Sequence, residues 1–441
     1  MAQSQRYRSW GRAIHSMQQP LWLHSRHDSL PTDWADGSTT ALPYGNGRSY
    51  GDSCLNPNGY ALPTRQLNHF IDFNPQTGLL SCEAGVLLDA ILQLTLPQGW
   101  FLSVTPGTRF VTVGGAIAND VHGKNHHKVG SFGHHVTELE LLRSDNSRSL
   151  CTPTHQAALF RATLGGLGLT GLITRATLQL RPVHNPWLAA ETVRFSDLGH
   201  FFELAAESDR DYEYTVAWID CASQGKRLGR GLFMRGNHAP AQSAAPPCYR
   251  SRSATFPLTP PLSLVNQLSL TLFNQLYYHK QWSERVAMVQ HYEPFFYPLD
   301  GILEWNRLYG PKGFYQYQCV IPMQGSYEAV RELLQTISAS GMGSFLAVLK
   351  VCGEIAPAGL LSFPLAGATL ALDFPNRGAA LERLFERLDT IVSHYGGRLY
   401  PAKDGRMPAA LFQQGYPEWQ LFSQWLDPHF SSAFWRRVTE R

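Results

Sequence analysis

Several classes of protein are excluded by what this 441-residue sequence has little of. Its 37 lysines and arginines nearly balance its 34 aspartates and glutamates, and no basic run interleaved with aromatics occurs, so nucleic-acid binding is not expected. Its seven cysteines are odd in number and include no C-x-x-C pair. They therefore predict thiols that pack as small apolar groups in a reducing compartment, and not a disulfide framework.

Long apolar runs are also missing. The N-terminal stretch MAQSQRYRSWGRAIHSMQQPLW has no apolar core typical of a signal peptide. No window approaches the roughly 20 apolar residues that a membrane-spanning helix needs. We therefore expect a cytoplasmic protein that is at most peripheral at a membrane.

Glycine, by contrast, is concentrated in three blocks of the N-terminal half. These blocks are PYGNGRSYGD (43–52), PGTRFVTVGGAIANDVHGKNHHKVGSFG (106–133) and LGGLGLTGLIT (164–174). Closely spaced glycines permit positive φ, so that successive backbone N–H groups can point at one anion, and Arg48 adds a positive charge. A tight surface turn would explain one such block. Three blocks together predict one long ligand, such as a dinucleotide, lying across several backbone segments.

The form of these blocks excludes the two commonest nucleotide motifs. GLGLTG (166–171) matches G-x-G-x-x-G, but LITRATLQL follows it and alternates like a strand, whereas a Rossmann fingerprint opens a helix. No Gly-Lys-Ser/Thr follows the glycines, which excludes a Walker A loop. In the second block, VTVGGAIAND predicts a strand that runs into the first turn of a helix.

The composition changes near residue 182, where aromatics become more frequent and segments longer. The stretches YTVAWIDCAS (214–223) and FYQYQCVIPM (314–323) are typical of strands. The stretches 87–99, 327–341 and 379–397 have the apolar spacing of amphipathic helices, and each is closed by glycine. The pattern as a whole predicts an α+β protein of two domains.

These motifs resemble the flavin domain of the vanillyl-alcohol-oxidase/p-cresol-methylhydroxylase-type FAD oxidoreductases. The resemblance continues through VAWID (216–220), LDGILEWNRLYGPKGFYQYQCVIP (299–322), GGRLYPAKDGR (396–406) and WLDP (425–428), and so covers nearly the whole chain. It implies an α+β FAD-binding domain formed by residues 1–181 together with a C-terminal segment, residues 396–441. It also implies an inserted antiparallel-sheet substrate domain, residues 182–395.

The resemblance assigns roles in binding FAD by position. It implies that residues 43–53 hold the pyrophosphate. The cofactor-binding residues that it implies are Gly45, Asn46, Gly47, Arg48, Ser49, Tyr50, Gly51, Gly107, Thr112, Val113, Gly114, Gly115, Asn119, His122, Ile173 and Tyr400. Many relatives link the flavin covalently through a histidine of the first loop. This sequence has Tyr50 there, so we expect FAD to be bound without a covalent bond.

Oxidation of an alcohol by a flavin also needs a base for the hydroxyl proton. By residue type the candidates are Lys403, Lys350 and His122; Lys403 alone would be typical of a solvated loop lysine beside Asp404. The resemblance places Lys403 next to flavin and substrate, and we expect Lys403 and His122 to be catalytic. The substrate-binding residues that it implies are Lys350, Gln316, Gln318, Trp218, Thr369 and Ala371. The two glutamines alternate along a strand and so face one side, which could equally be a polar outer face.

One departure from the family lies in GATLALDFP (367–375). Members of the family carry a cysteine where this sequence has Ala371, and an asparagine where it has Thr369. The cysteine is not needed for hydride transfer, so we expect oxidation to persist and inhibitors that react with that cysteine to fail. Cys352 stands where relatives have an aromatic residue, which would widen the pocket.

The resemblance implies FAD-dependent oxidation of a secondary sugar hydroxyl to a ketone. The expected substrate is the 2′-hydroxyl of a polyprenyl-phospho-β-D-ribose. An NAD(P)H-dependent keto-sugar reductase would be the partner that completes epimerisation to the arabinose of cell-wall arabinan. Two alternatives stay open: an oxidase of a soluble alditol or aldonolactone on the same fold, and a flavoprotein that binds the sugar lipid without turning it over.

Two further features bear on membrane contact and on metal binding. The segments 266–280 and 291–302 are apolar and could supply a membrane-contacting surface, but both could equally be core. The dense histidines of the second block have neither the helical spacing nor the carboxylate of a typical ligand set, so no metal site is predicted. These histidines are His122, His126, His127, His134 and His135.

Overall fold

The computed structural model describes residues 3–31, 39–241 and 249–439. In these residues the strands are β1 (Gln5–Arg8), β2 (His15–Pro20), β3 (Ala41–Tyr44), β4 (Tyr60–Pro63), β5 (Phe70–Asn74), β6 (Leu79–Glu83), β7 (Trp100–Phe101), β8 (Val136–Leu142), β9 (Arg148–Cys151), β10 (Leu172–Gln179), β11 (Arg181–Pro182), β12 (Trp187–Phe195), β13 (Tyr214–Ile219), β14 (Gly231–His238), β15 (Ala254–Thr255), β16 (Arg285–His291), β17 (Ile302–Leu303), β18 (Phe314–Pro322), β19 (Ala347–Cys352), β20 (Gly367–Pro375) and β21 (Arg398–Leu399). The α-helices are α1 (Leu88–Thr95), α2 (Val113–Ala118), α3 (His126–Val129), α4 (Ala157–Thr163), α5 (Leu198–Ser208), α6 (Gln267–His279), α7 (Tyr292–Phe296), α8 (Ser326–Ala339), α9 (Ala379–His394), α10 (Ala409–Gly415), α11 (Trp419–Ser423) and α12 (Ala433–Thr439).

The N-terminal part forms two larger sheets and the two-stranded pair of β7 and β11. The first has the order β1-β2-β4-β3, in which β4 runs parallel to both of its neighbours. The second has the order β5-β6-β10-β8-β9 and is antiparallel throughout. Helix α2 packs against β10. The mixture of short helices with largely antiparallel sheets confirms the α+β class.

An eight-stranded antiparallel sheet follows, with the order β16-β12-β14-β13-β19-β20-β18-β21. One face carries apolar residues such as Tyr317, Cys319 and Ile321, which belong to a core shared with helices α5, α8 and α9. Residues in between, such as Gln316 and Gln318, point to the other face because side chains alternate along a strand. The sheet therefore has one face closed by helices and one face turned toward the N-terminal part.

The predicted amphipathic helices are confirmed. Helix α8 buries Ala329, Val330, Leu333, Leu334 and Ile337, which recur at the three- and four-residue spacing of one helix face. Residues 379–397 likewise contain α9, and residues 87–99 contain α1 with a single 3-10 turn after it. The predicted strands 214–223 and 314–323 correspond to β13 and β18.

The structure corrects one local prediction and confirms another. In VTVGGAIAND, the described residues form no strand ahead of the helix. Instead α2 starts at Val113, and Thr112 caps it by accepting a hydrogen bond of 3.1 Å from the N–H of Gly115. GLGLTG lies between α4 and β10, so a strand follows it and the Rossmann reading is excluded as predicted.

The C-terminal residues contact both sheet regions. Strand β21 pairs with β18 in the eight-stranded sheet. The N–H of Tyr50 donates to the carbonyl of Ala402 at 2.9 Å. Arg437 of α12 binds the carboxylates of both Asp52 and Asp404, at 2.7 and 2.9 Å. Through this shared cation, the first glycine-rich loop and the turn after β21 are held side by side.

The two apolar segments left open by the sequence differ in their burial. Residues 291–302 contain α7, whose Tyr292, Phe295 and Phe296 are buried in the core. Residues 266–280 contain α6, several of whose leucines are exposed. No helix in the described ranges has the length and apolar character needed to cross a bilayer. The six described cysteines form no disulfide, and five of them are buried; Cys248 lies outside the described residues.

Candidate active site

A cavity of about 610 Å³ lies between the N-terminal sheets and the open face of the eight-stranded sheet. Most of the residues that the sequence singled out line it. They are Gly45, Asn46, Gly47, Arg48, Ser49, Tyr50, Gly107, Thr112, Gly114, Gly115, Asn119, His122, Ile173, Gln316, Gln318, Lys350, Ala371, Tyr400 and Lys403. The structure thus brings the three glycine-rich blocks and the turn after β21 to one volume.

The first glycine-rich loop is held open by its neighbours. Gly47 has φ of +60°, a left-handed conformation that glycine adopts without steric cost. Gly51 passes so close to the turn after β21 that a Cβ on it would lie 1.5 Å from the carbonyl oxygen of Asp404. The side-chain amide of Asn46 donates to the carbonyl of Phe110 at 2.7 Å and ties this loop to the second block.

Five consecutive N–H groups of this loop, those of residues 45–49, donate no hydrogen bond within the described parts of the chain. Residues 45–49 are half-buried and line the cavity. The Nε of Arg48 is buried without a partner among the described residues, and the guanidinium lies 3.9 Å from the centre of the Trp10 ring. A buried donor is normally satisfied. This cluster of free donors with one cation is therefore suited to an anion with several oxygens, such as a diphosphate.

The second block is rigidly positioned by a buried carboxylate. Asp120 has φ of +38°, which is unusual for a residue other than glycine. Its carboxylate accepts hydrogen bonds from Ser131 Oγ (2.7 Å), Ser362 Oγ (2.5 Å) and the N–H of Gly133 (2.8 Å). These bonds offset the strain and fix the backbone between Asn119 and His122 against the cavity.

The opposite wall is a ladder of paired residues on the open face of the sheet. Strand register places Gln318 opposite Ala371, and Ala371 opposite Val348. Two residues away on each strand, Gln316 lies opposite Asp373, and its Nε2 donates to Asp373 Oδ1 at 2.6 Å. Paired residues point to the same side of a sheet, so this row presents amides and small apolar groups to the cavity, while Asp373 is fully buried beside Gln316.

His122 is held between two side chains of that wall. Its Nδ1 lies 2.9 Å from Lys350 Nζ, and its Nε2 lies 3.1 Å from Gln318 Nε2. Lys350 Nζ also donates to the carbonyl of Gly123 at 3.1 Å. Burial and the neighbouring Lys350 hold the pKa of His122 well below its usual value, so the imidazole is neutral. Burial lowers the pKa of Lys350 to about 8.

Lys403 stands beside this group. Its Nζ lies 3.6 Å from the centre of the Tyr50 ring, and the side chain is buried between that ring and the sheet. Burial lowers the pKa of Lys403, the charge of Lys350 lowers it further, and the carboxylate of Asp373 acts in the opposite direction. Burial in turn raises the pKa of Asp373, whose Oδ2 has no hydrogen-bond partner among the described residues.

Four predicted site residues do not line the cavity. Gly51 packs on Asp404, and Val113 is buried in the N-terminal core. Trp218 pairs with Val348 across the sheet, but its Nε1 donates to the carbonyl of Phe345 at 2.9 Å and its ring packs on Tyr277. Thr369 is buried beside Lys350 in the register of the sheet, and its hydroxyl has no partner among the described residues. Trp218 and Thr369 thus share the sheet face of the cavity wall but are covered by neighbouring residues.

Sequence reasoning missed several residues of the cavity. Asp300, Glu304 and Trp305 line it from the segment after α7, and Trp10 lines it from the N-terminus. The family-like stretch 299–322 contained three of these four, but no chemistry distinguished them there. Asp373, which is buried beside the cavity, lies in the stretch GATLALDFP, where no pattern gave it a role. Its place beside Lys403 depends on the pairing of β18 with β20, which no local pattern reveals.

Three of the remaining histidines of the second block contact backbone carbonyls. Nε2 of His127, His134 and His135 lies 3.0 Å from the carbonyls of Tyr212, Ala356 and Val129 respectively. Within the described ranges, no three His, Cys, Asp or Glu side chains lie close enough together to hold a metal ion.

The cavity fits a flavin dinucleotide by its donors. The free N–H groups of residues 45–49 and Arg48 suit the diphosphate, and the cavity continues past α2 to the basic end formed by His122, Lys350 and Lys403. Tyr50 stands at the place of the covalent histidine of many relatives. A phenol there, buried under Lys403 and packed edge-on against Phe314, is compatible with binding by contacts alone.

Comparison with known proteins supports this picture. Residues 35–152 match the family model described as an FAD binding domain. The chain is 38% identical over 419 residues to decaprenylphosphoryl-beta-D-ribose oxidase of Mycolicibacterium smegmatis, covering 91% of this chain and 90% of that protein. It is 33% identical over 346 residues to an uncharacterized protein in the mprA 5′ region of Streptomyces coelicolor, covering 75% and 92% of the two chains. A probable L-gulonolactone oxidase of Arabidopsis thaliana is 30% identical over 180 residues, which are 39% of this chain and 30% of that protein.

Proposed function

The chain belongs to the family of decaprenylphosphoryl-beta-D-ribose oxidase, and we propose from this that it oxidises the 2′-hydroxyl of a polyprenyl-phospho-β-D-ribose to a ketone. It is an FAD-dependent oxidoreductase, and the expected cofactor and the recognised family are confirmed. The observation that carries the proposal is the buried basic end of the cavity, where Lys403, Lys350 and His122 lie together.

FAD is held without a covalent bond in this proposal. The amides of residues 45–49 and the guanidinium of Arg48 bind its diphosphate, and residues 112–119 line the dinucleotide along α2. When bound, FAD supplies the acceptor for the hydride that leaves the sugar carbon. The two-domain arrangement of the family, with residues 182–395 inserted between 1–181 and 396–441, is part of the same proposal.

Lys403 takes the hydroxyl proton at Nζ. A protonated lysine cannot act as a base, so the amine must be neutral in the reactive form. Burial against Tyr50 and the sheet, together with the positive charge of Lys350, lowers its pKa and makes the neutral amine accessible near neutral pH. The proton of the hydroxyl group is thus held on the enzyme while the hydride leaves the carbon that carries this hydroxyl.

His122 has a positioning role in this scheme. Both of its ring nitrogens are within hydrogen-bond distance of protein groups, Lys350 and Gln318, so neither is free to accept a substrate proton. The imidazole instead orients Lys350 and Gln318 toward the cavity. These two residues, with Gln316 and Ala371, form the wall against which the ribose binds.

A lipid-linked sugar also implies partners. We propose that the 2′-keto product passes to an NAD(P)H-dependent reductase, which returns hydrogen to the opposite face and completes epimerisation to arabinose. Contact with a membrane belongs to the same proposal, since the substrate carries a polyprenyl chain.

Substrate specificity is tested by anaerobic bleaching of the flavin absorbance near 450 nm, with purified holoprotein. A polyprenyl-phospho-β-D-ribose should bleach the flavin, and the corresponding arabinose lipid, inverted at C2, should bleach it more slowly. Bleaching by free alditols or aldonolactones alone would replace the proposal with an oxidase of soluble polyols. Binding of the sugar lipid without bleaching would make the protein a non-enzymatic flavoprotein.

A further inference from the structure

Helix α6 carries three of its four leucines on the outside. Leu268, Leu272 and Leu276 recur every four residues, form one stripe and are between 59% and 80% exposed. The side that faces the protein buries only Leu270 and Asn274, and Asn274 donates to Asp220 Oδ1 at 2.8 Å. Helices α8 and α9 have the usual opposite arrangement, in which leucines are buried. We call the stripe of three leucines the leucine face.

The chain on either side of α6 adds to this apolar surface. Leu258 and Leu262 are exposed, although the backbone around them is fixed by hydrogen bonds to residues 303–308. After the helix, Trp282 is 88% exposed. An apolar surface of this extent on a well-ordered backbone indicates a site of contact with an apolar partner.

The charges around this surface favour a particular partner. No Asp, Glu, Lys or Arg occurs between Arg252 and Lys280. The basic residues Arg250, Arg252 and Lys280 stand at the two ends of this uncharged segment, all are exposed, and none of them pairs with a carboxylate among the described residues. Glu284 is the nearest acidic residue after the helix. A segment with exposed apolar side chains, exposed basic residues at its two ends and an exposed tryptophan complements an anionic lipid bilayer.

The surface is continuous with the rim of the cavity. Strand β15, just before the uncharged segment turns outward, pairs in parallel with β17, so that Thr255 stands opposite Leu303. Both of these residues line the cavity, as does Trp305. A lipid that lies on the leucine face is therefore next to the entrance of the candidate active site.

We propose that the leucine face, together with Leu258, Leu262 and Trp282, binds the interfacial region of an anionic bilayer and turns the cavity rim toward the membrane. The orientation deepens the proposed function and rests on it, because it lets the sugar head group of a polyprenyl lipid enter the cavity while its chain stays among other lipids. The attachment itself depends only on the exposed side chains.

Vesicle flotation of the holoprotein tests the attachment. We expect the protein to float with vesicles of phosphatidylcholine mixed with phosphatidylglycerol, and much less with phosphatidylcholine alone. The triple variant Leu268→Ser, Leu272→Ser, Leu276→Ser should lower the partition coefficient by about tenfold or more, since each leucine loses its apolar transfer energy. A matched control replaces the exposed Met17, Leu150 and Leu421 by serine and should float like the wild type.

A second variant, Arg250→Gln, Arg252→Gln, Lys280→Gln, should remove the preference for phosphatidylglycerol, and raised salt should weaken binding in the wild type. Bound flavin, measured by absorbance, shows that each variant is folded. The proposal fails if the wild type does not float with either vesicle, or if the leucine variant and its control float equally. It also fails if the wild type is a dimer that the leucine variant converts to a monomer, because the face then binds a second copy.

Activity assays separate this inference from the proposed function. Towards a water-soluble short-chain prenyl-phospho-ribose, the leucine variant should turn over at the wild-type rate; towards a long-chain lipid in vesicles it should be slower. Flotation without turnover of either substrate would retain the membrane surface and reject the proposed substrate. Turnover of the short-chain substrate without flotation would retain the proposed substrate and reject the membrane surface.

Discussion

The two ends of the cavity bind in different ways. At the end formed by residues 45–49, the groups offered to a ligand are backbone amides, and the side chains mostly serve to hold the loop open. At the other end, the groups are side chains of the eight-stranded sheet and of Lys403, in positions set by strand register. Ligand binding at the first end therefore depends on backbone shape, and at the second end on the identity and charge of individual residues.

The largest effect is expected at the side-chain end. Lys403→Ala removes the proposed base and should lower the rate of anaerobic flavin reduction by about 10²- to 10⁴-fold. Flavin binding should persist, because the donors at the other end are unchanged. Stopped-flow absorbance measures the rate, and the exposed Lys312→Ala serves as the control. A variant that reduces its flavin at the normal rate would remove Lys403 from the chemistry.

The backbone end should respond most to a change that adds a single methyl group. In Gly51→Ala, the new Cβ would meet the carbonyl oxygen of Asp404, so the loop must move, at a cost of about 1–3 kcal/mol. We expect weaker FAD binding and a lower melting temperature, measured by fluorescence titration and calorimetry. Ser49→Ala in the same loop keeps the amides and should bind FAD almost normally. Equal losses in both variants would contradict the view that this end acts through its backbone.

A smaller effect is expected from removing the carboxylate of Asp373, which acts on the proposed base Lys403. Asp373 raises the pKa of Lys403 and so opposes the lowering by burial. Asp373→Asn removes this opposition, so the pKa of Lys403 falls further and the neutral amine persists to lower pH. Because activity rises as the base loses its proton, the acid limb of the kcat/KM profile should move to lower pH, by about one unit.

The control for this shift is Asp300→Asn, since Asp300 lines the same cavity and is not among the charges that act on Lys403. A rate that falls without any movement of the acid limb would show that Asp373 supports the sheet only through its hydrogen bond to Gln316.

The smallest change in turnover is expected at Ala371. Ala371→Cys adds one sulfur atom to the cavity wall and should leave the rate within about threefold, because such a small side chain takes no part in proton transfer. It should nevertheless create a site for thiol-reactive inhibitors, detected by intact mass. The wild type should not be labelled in the cavity, since Cys352 does not line it and burial raises the pKa of Cys54, which does line it, to about 12. Labelling of the wild type at the wall would contradict this.

Local patterns predicted the elements well where burial on one face decides them. Helices α8 and α9 and strand β18 follow from apolar spacing, because each exposes one side to solvent or to the cavity and buries the other. Strand β13 is buried on both sides and was predicted from its β-branched and aromatic residues. VTVGGAIAND was the exception: its β-branched residues predicted a strand. There Thr112 is used as a helix cap, because its hydroxyl reaches the N–H of Gly115.

Some residues of the candidate site could be identified from the sequence and others could not. The glycine-rich loops and the lysine of the turn after β21 could be identified, since glycines clustered in this way indicate a loop that binds a ligand through its backbone. The environment of Trp218 could not be foreseen, because its indole N–H donates to the carbonyl of Phe345, which is distant in sequence. Nor could the role of Asp373 be foreseen, since a carboxylate gains its effect on Lys403 only through contact across strands that are distant in sequence.

By itself, the sequence determined what depends on neighbouring residues: the amphipathic elements, the loops that need glycine, and the resemblance that names the cofactor. Only the tertiary structure decided which side chains meet and which face is left uncovered. Helix α6 shows the reason. Its leucines do not by themselves say which face is buried. The fold buries Leu270 and Asn274, whose bond to Asp220 satisfies a buried polar group, and leaves Leu268, Leu272 and Leu276 outside.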